Sequence, residues 1–147
     1  MYASILVPVD VAHESSWKHA LPQAIELARA HGARVTVLTV LRQTSLMFEG
    51  VYLAFQLEQL MAAAREKLAQ IVAAHDLAGR QVSQDVRMGS IGGEILASIR
   101  DTGADLVVMA SHRPEMKDYL IGPNAAHVVM NTKASVFVVR EPLSAPQ

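Results

Sequence analysis

The chain has 147 residues and a mass of 15.9 kDa, with 51% hydrophobic and 18% charged residues and a formal net charge of −1. At this length a fold buries roughly 68–70% of the unfolded surface, which excludes a disordered tail or a fibrous repeat. With no cysteine there is no disulfide framework, thiolate zinc site, iron–sulfur ligation or cysteine nucleophile, and the near-even charge balance argues against gripping nucleic acid or an anionic membrane through the overall field.

The opening segment Met1-Tyr2-Ala3-Ser4-Ile5-Leu6-Val7-Pro8-Val9-Asp10 has no cationic region ahead of its apolar stretch and predicts no signal peptide. Short β-branched runs then alternate with helical periodicity, the pattern of βαβ units on a parallel sheet. Strands are expected at about Ser4–Val9, Arg34–Leu41, Val82–Met88, Asp105–Ala110 and Ser135–Arg140. Four are apolar at nearly every position, as strands covered on both faces are. The third, Val82-Ser83-Gln84-Asp85-Val86-Arg87-Met88, is interrupted by polar residues and suits a half-wet edge. A first helix is expected over about Ser16–His31, with Trp17, Leu21, Ala24, Ile25 and Ala28 on one stripe. Gly32 is its left-handed stop, and Pro22 either bends it or marks its true first turn. The second, about Ala54–His75, repeats Leu57, Leu60, Met61, Ala64, Leu68, Ile71 and Val72 at steps of three and four. A third runs from about Gly93 to Thr102. The fourth starts near Pro123, suited to a first helical position, and ends near Asn131. Residues Arg42–Tyr52 form the one long irregular connection. Apolar runs such as Leu106–Ala110 and Val136–Val139 fall far short of the roughly 18–20 residues of a membrane span. One cytoplasmic domain over residues 1–147 is expected, with 142–147 a short tail.

In open parallel sheets ligands bind beyond the carboxyl ends of the strands, where successive connections diverge. Periodicity does not say which strands flank that point. If the order is 3-2-1-4-5, strands one and four are neighbours there, and Pro8-Val9-Asp10 converges with Ala110-Ser111-His112-Arg113 above the helix start Gly122-Pro123-Asn124-Ala125. Free N–H donors and a positive dipole end suit an anion such as phosphate. A carboxylate suits sugar hydroxyls or a cation, so the set describes a nucleotide.

The same residues carry a family resemblance. Ser4-Ile5-Leu6-Val7-Pro8-Val9-Asp10, Met109-Ala110-Ser111-His112-Arg113-Pro114, Tyr119-Leu120-Ile121-Gly122-Pro123-Asn124-Ala125-Ala126 and Ser135-Val136-Phe137-Val138-Val139-Arg140 resemble the universal stress protein family over essentially the whole chain, most closely its F/G-type bacterial branch. The resemblance implies an α/β fold of Rossmann-like, adenine nucleotide alpha hydrolase-like type, a five-stranded parallel sheet in the order 3-2-1-4-5 with helices on both faces. It also implies a homodimer through the last strand (Val136, Phe137, Val138, Val139) and one ATP, or ADP or AMP, in the crevice, with magnesium carried on the phosphates. Val40 would meet the adenine through its backbone, with Pro8 and Val9 packing beside the ring, and Met109 is a further nucleotide-binding candidate. The family's phosphate motif is Gly-x-x-Gly, nine residues, then Gly and Ser or Thr. Here Ala110 and Arg113 stand at the first two glycines, eight residues precede Gly122, and Pro123 replaces the hydroxyl residue, removing a backbone donor as well. Gly122, Asn124 and Ala125 keep N–H groups, and Arg113 and Lys117 add charge.

Each candidate has a plainer alternative. Asp10 is either a ribose or magnesium ligand or a loop carboxylate satisfying nearby N–H groups, and Val40 is either at the adenine or ordinary core. Ser111 and His112 are expected at phosphate or ribose, not as a nucleophilic pair, since no third, orienting carboxylate is identified. Gly89-Ser90-Ile91-Gly92-Gly93 lacks the P-loop Gly-Lys-Ser/Thr and is read as a strand-to-helix turn. Asp85 and Asp101 are read as solvated edge or cap residues. Relatives that hydrolyse nucleotides carry Ser-Gly-Gly-x-Asp-Ser after strand one, where this chain has Val11-Ala12-His13-Glu14. The expectation is a regulatory protein working by nucleotide-dependent association with a protein partner, its alternative a dimeric scaffold or chaperone-like factor without nucleotide, and at most weak ATP hydrolysis.

Overall fold

The computed structural model describes residues 1–42, 50–75, 82–111 and 122–141, apart from the side chains of residues 50–53. Among the described residues five strands, β1 (Ser4–Val9), β2 (Arg34–Arg42), β3 (Val82–Gly89), β4 (Leu106–Ala110) and β5 (Ser135–Val139), alternate with four helices, α1 (Ala20–His31), α2 (Gly50–Ala73), α3 (Ile91–Thr102) and α4 (Pro123–Asn131), and a 3-10 turn spans Glu14–Ser16. The sheet is parallel throughout, in the order β3-β2-β1-β4-β5. That is the expected α/β architecture.

Strand alternation divides the core in two. Ile5, Val7, Val9, Val35, Val37, Leu106 and Val108 pack against α1 and the C-terminal half of α2. Their neighbours Leu6, Leu38, Val107 and Met109 turn to the other face, under Ile95 and Ile99 of α3 and Ala125 and Val128 of α4. Successive side chains of a strand point to opposite faces, so a strand buried along its whole length serves both clusters. All six residues of β1 are buried. Gly32 and Gly103 end α1 and α3 in the left-handed conformation, at φ 68° and 67°, where a side chain would be strained.

The ladders explain where the sheet opens. β1 is registered with β2 from Ser4↔Arg34 to Val9↔Thr39, whereas its pairing with β4 consists of Ile5↔Leu106 and Leu6↔Val107. Pro8 follows, and it has no N–H for a further rung. The two central strands therefore part at the point where connections diverge.

Several boundaries differ from the expected ones. α1 begins at Ala20 rather than Ser16, so Pro22 lies in its first turn, where a missing N–H is harmless; Trp17 precedes the helix and packs on the core from outside it. α2 begins at Gly50, so residues 50–52 belong to a helix and not to the irregular connection. Residues 43–49 and the tail 142–147 lie outside the described residues. α3 begins at Ile91 rather than Gly93, with Ser90 at its N-cap, so the expected strand-to-helix turn narrows to Ser90, and Gly92 and Gly93 fall in the first turn of the helix. β5 departs from the two-faced cover inferred from its apolarity. It is the sheet's outer strand, and Phe137 is 41% exposed.

β3 is the wet edge, yet its charges are not loose. Arg87 donates through Nε to Asp85 at 2.7 Å and through a terminal nitrogen to Asp101 at 2.8 Å, with Glu94 3.7 Å away. Ser98 adds a bond to Asp85 at 3.2 Å. Asp101 is exposed and Asp85 half-buried on the edge strand, and both also tie that strand to α3. The Asp85 bond is the main reason that the Arg87 pKa lies above its ordinary value, partial burial opposing it.

Candidate functional site

The parting of β1 and β4 leaves a cleft of about 670 Å³ at the carboxyl ends of the strands, within the 300–1,000 Å³ usual for small-ligand sites. Its floor is apolar. Pro8, Leu38, Val40 and Met109 rise from β1, β2 and β4, and Ile91 and Ile95, one turn apart on α3, form a wall. Polar groups close the other side: Asp10, Ser15 and Ser16 after β1, Ser111 after β4, and Gly122, Pro123, Asn124 and Ala125 at the start of α4.

The pleat accounts for which side chains arrive. Leu6, Leu38 and Val107 share one core cluster, so counting in twos along each strand sets Pro8 and Asp10, Val40 and Arg42, and Met109 and Ser111 on that same face. A polar residue thus ends β2 or immediately follows β1 and β4 above one apolar floor, in the spatial order Arg42, Asp10, Ser111. Val9 borders the cleft, but its side chain belongs to the opposite core.

Asp10 is held by its own loop. Its Oδ1 accepts from Ala12 N–H at 2.9 Å and its Oδ2 from His13 Nδ1 at 2.9 Å. A carboxylate has no proton to give, so the imidazole is assigned its Nδ1–H. The Asp10 N–H donates to Ser16 Oγ at 2.8 Å, and that hydroxyl lies 2.8 Å from the His13 carbonyl and 3.0 Å from the Asp10 carbonyl. The plainer role for Asp10 is therefore present. It also fixes the carboxylate at the cleft, where 38% of the side chain stays open.

At the opposite wall Gly122 is the N-cap of α4 and Pro123 its first residue, with no side-chain cap. Gly122 N–H donates to the Ser111 carbonyl at 2.6 Å, and Ser111 N–H to the Val139 carbonyl at 3.0 Å. This corrects one expectation: the Gly122 donor is spent inside the protein. Pro123 has none, so the helix tip offers an anion the N–H groups of Asn124 and Ala125, together with its dipole. Ser111 is 6% exposed and Ala125 2%, while Pro123 and Asn124 are open.

Of the candidate residues, Pro8, Val9, Asp10, Val40, Met109, Ala110, Ser111, Gly122, Pro123, Asn124 and Ala125 all border this one cleft; His112, Arg113 and Lys117 lie outside the described residues. Sequence reasoning missed Ser15, Ser16, Leu38, Leu41, Arg42, Ile91 and Ile95. For Arg42 a signal existed, the two-residue step from Val40. Among the described residues no three His, Asp or Glu side chains gather as a metal site, and no helix is long and apolar enough to cross a membrane.

Comparison with known proteins agrees with this architecture. Universal stress protein G of Shigella flexneri is 31% identical over 144 residues, covering 95% of this chain and all of that one. Universal stress protein UspA from Lactobacillus plantarum superposes with a TM-score of 0.76 at 23% identity, over 95% of this chain and 98% of that one. A universal stress protein solved in complex with cAMP superposes with a TM-score of 0.63 at 20% identity, over 94% and 96%. The family described as universal stress proteins matches residues 1–140. With that match over nearly its whole length, the chain belongs to the universal stress protein family.

Proposed function

We propose that this protein is a cytoplasmic, adenine-nucleotide-binding regulator of the stress response that acts by nucleotide-dependent association with a partner rather than by catalysis. The observation that carries the reading is the convergence, on one cleft, of an apolar floor, a fixed carboxylate and a positively polarised helix tip. The floor takes a base, Asp10 accepts from ribose hydroxyls, and Asn124 and Ala125 donate to phosphate. The related protein solved with cAMP supports an adenine nucleotide as ligand. Magnesium would travel on the phosphates. A homodimer through β5 is part of the same reading, because an apolar outer strand with an exposed Phe137 offers an open edge.

One observation favours a second reading, a dimeric scaffold of this fold without nucleotide. With Gly122 N–H committed to Ser111 and Pro123 lacking a donor, the phosphate grip is reduced to two backbone groups. A thermal-shift titration with ATP, ADP and AMP decides between them. A ligand that binds only the folded state adds about 2.7 kcal/mol at a hundred times its dissociation constant, roughly 5–10 °C for a chain of this size. No shift with any of the three selects the scaffold. Pro123→Ser restores a donor and a hydroxyl at the helix tip and is expected to tighten ATP several-fold; unchanged affinity would mean that the helix tip does not limit binding.

A further inference from the structure

We infer that Arg42 recognises the base of the bound nucleotide, its guanidinium plane lying against the outer face of the ring. The inference rests on the nucleotide reading above and adds the residue that stacks on the base.

Arg42 is turned to the correct side. Leu38 and Val40 pack with the core cluster that floors the cleft, and the two-residue period of the strand carries Arg42 to that face, where it borders the cleft. It also stands at the correct height. The pairing Val9↔Thr39 sets Asp10 level with Val40, so Arg42 lies two residues further along, roughly 6–7 Å at about 3.3 Å per residue. It is therefore an exposed rim above the floor.

Polarity along the cleft supplies the third argument. The anion donors Asn124 and Ala125 belong to α4, next to β4, which is two strand spacings from β2, about 10 Å. At the β2 end the surroundings are Leu38, Val40, Ile91 and Ile95. Arg42 is the only charged residue at that end among the described lining residues. A phosphate chain seated on the helix tip directs the base toward these apolar side chains, which cover one face of a flat ring. The other face is left to a planar, weakly hydrated cation suited to stacking.

The test is calorimetric titration of the whole chain with ATP, and with adenosine as a probe that has a base but no phosphate, for wild type, R42K and R42A. Both variants are expected to weaken both ligands by a similar factor, about five- to tenfold, because lysine keeps the charge and loses the plane. Thermal midpoints should stay within about 1 °C, as for other exposed substitutions. A loss confined to ATP makes Arg42 a phosphate contact and overturns the inference. So does wild-type affinity in R42K, which would leave a bare charge effect, or in R42A, or a failure of adenosine to bind wild type that binds ATP. Wild type that binds no adenine nucleotide overturns the nucleotide reading itself, and with it this inference; only that outcome abolishes wild-type ATP binding.

Discussion

Two aspartates at opposite ends of the sheet use the same chemistry for different purposes. Asp10 accepts from Ala12 and His13 at the open end. Asp105 precedes β4 at the closed end and accepts from Ala3 N–H at 2.9 Å and Ser4 N–H at 3.0 Å, while its own N–H donates to the Ser4 carbonyl at 3.0 Å. The Ala3 bond first, against some desolvation, and then the Ser4 bond hold the Asp105 pKa below its ordinary value. A depressed carboxylate contributes stability that is complete above its unfolded pKa, near 3.9, and is lost as pH falls through the lower folded value. Asp105→Ala is therefore expected to lower the melting temperature by about 3 °C at pH 7, equivalent to roughly 1 kcal/mol. The deficit should hold down to about pH 5 and narrow below about pH 4. A deficit that grows on acidification would contradict this assignment. In the sequence Asp10 stood out because it follows a strand, but its tie to His13 depends on a turn geometry that no spacing rule supplies. Arg42 was legible in principle, two residues past Val40, but it lies one residue beyond the strand end expected at Leu41.

Among the elements, α4 was the most legible, because a proline at the first helical position and the following periodicity mark both ends of Pro123–Asn131. The start of α2 was not. Gly50, Val51 and Tyr52 read locally as loop, and helix there overrides weak propensities. The order of the strands was not readable from periodicity at all and came from the family resemblance. The α3–α4 contact that walls the cleft was equally hidden. A methyl group added at Gly92 would overlap the His127 imidazole. Gly92→Ala should therefore cost about 1 kcal/mol despite its better helix propensity. In a His127→Ala background the same change should become neutral or stabilising, since the obstruction is gone. Denaturant melts of the four proteins in this cycle give the sign directly, and an equal cost in both backgrounds would show that the imidazole is not what excludes the side chain.

For the molecule as a whole, the apolar surface left over is telling. Phe137 on β5 and Met130 on α4 are 41% and 82% exposed, and among the described residues β5 ends the sheet without a further partner strand. The homodimer proposed above places a second copy along that edge. Phe137→Glu puts a charge into the apolar row and is expected to shift the sedimentation mass from dimer to monomer at micromolar concentration, with little change in the monomer's circular dichroism. Wild type that sediments as a monomer at those concentrations, or a variant that stays dimeric, counts against β5 as the interface. Apolarity at β5 was visible in the sequence; that it came from an open edge and not from two-sided cover was visible only once the strand order placed it outermost.

The two-rung seam between β1 and β4 has a mechanical consequence. The Asp105 clasp fastens it at the bottom and Pro8 leaves it unlaced at the top, so the β3-β2-β1 panel and the β4-β5 panel are joined by the slimmest lateral joint in the sheet. Any ligand resting on Asp10 from one panel and on Ser111 or Asn124 from the other acts as a staple across that joint. Filling the site would then stiffen the panel whose far margin is β5, and in the homodimer proposed above that margin is where occupancy would be felt, through the sheet itself and with no dedicated relay.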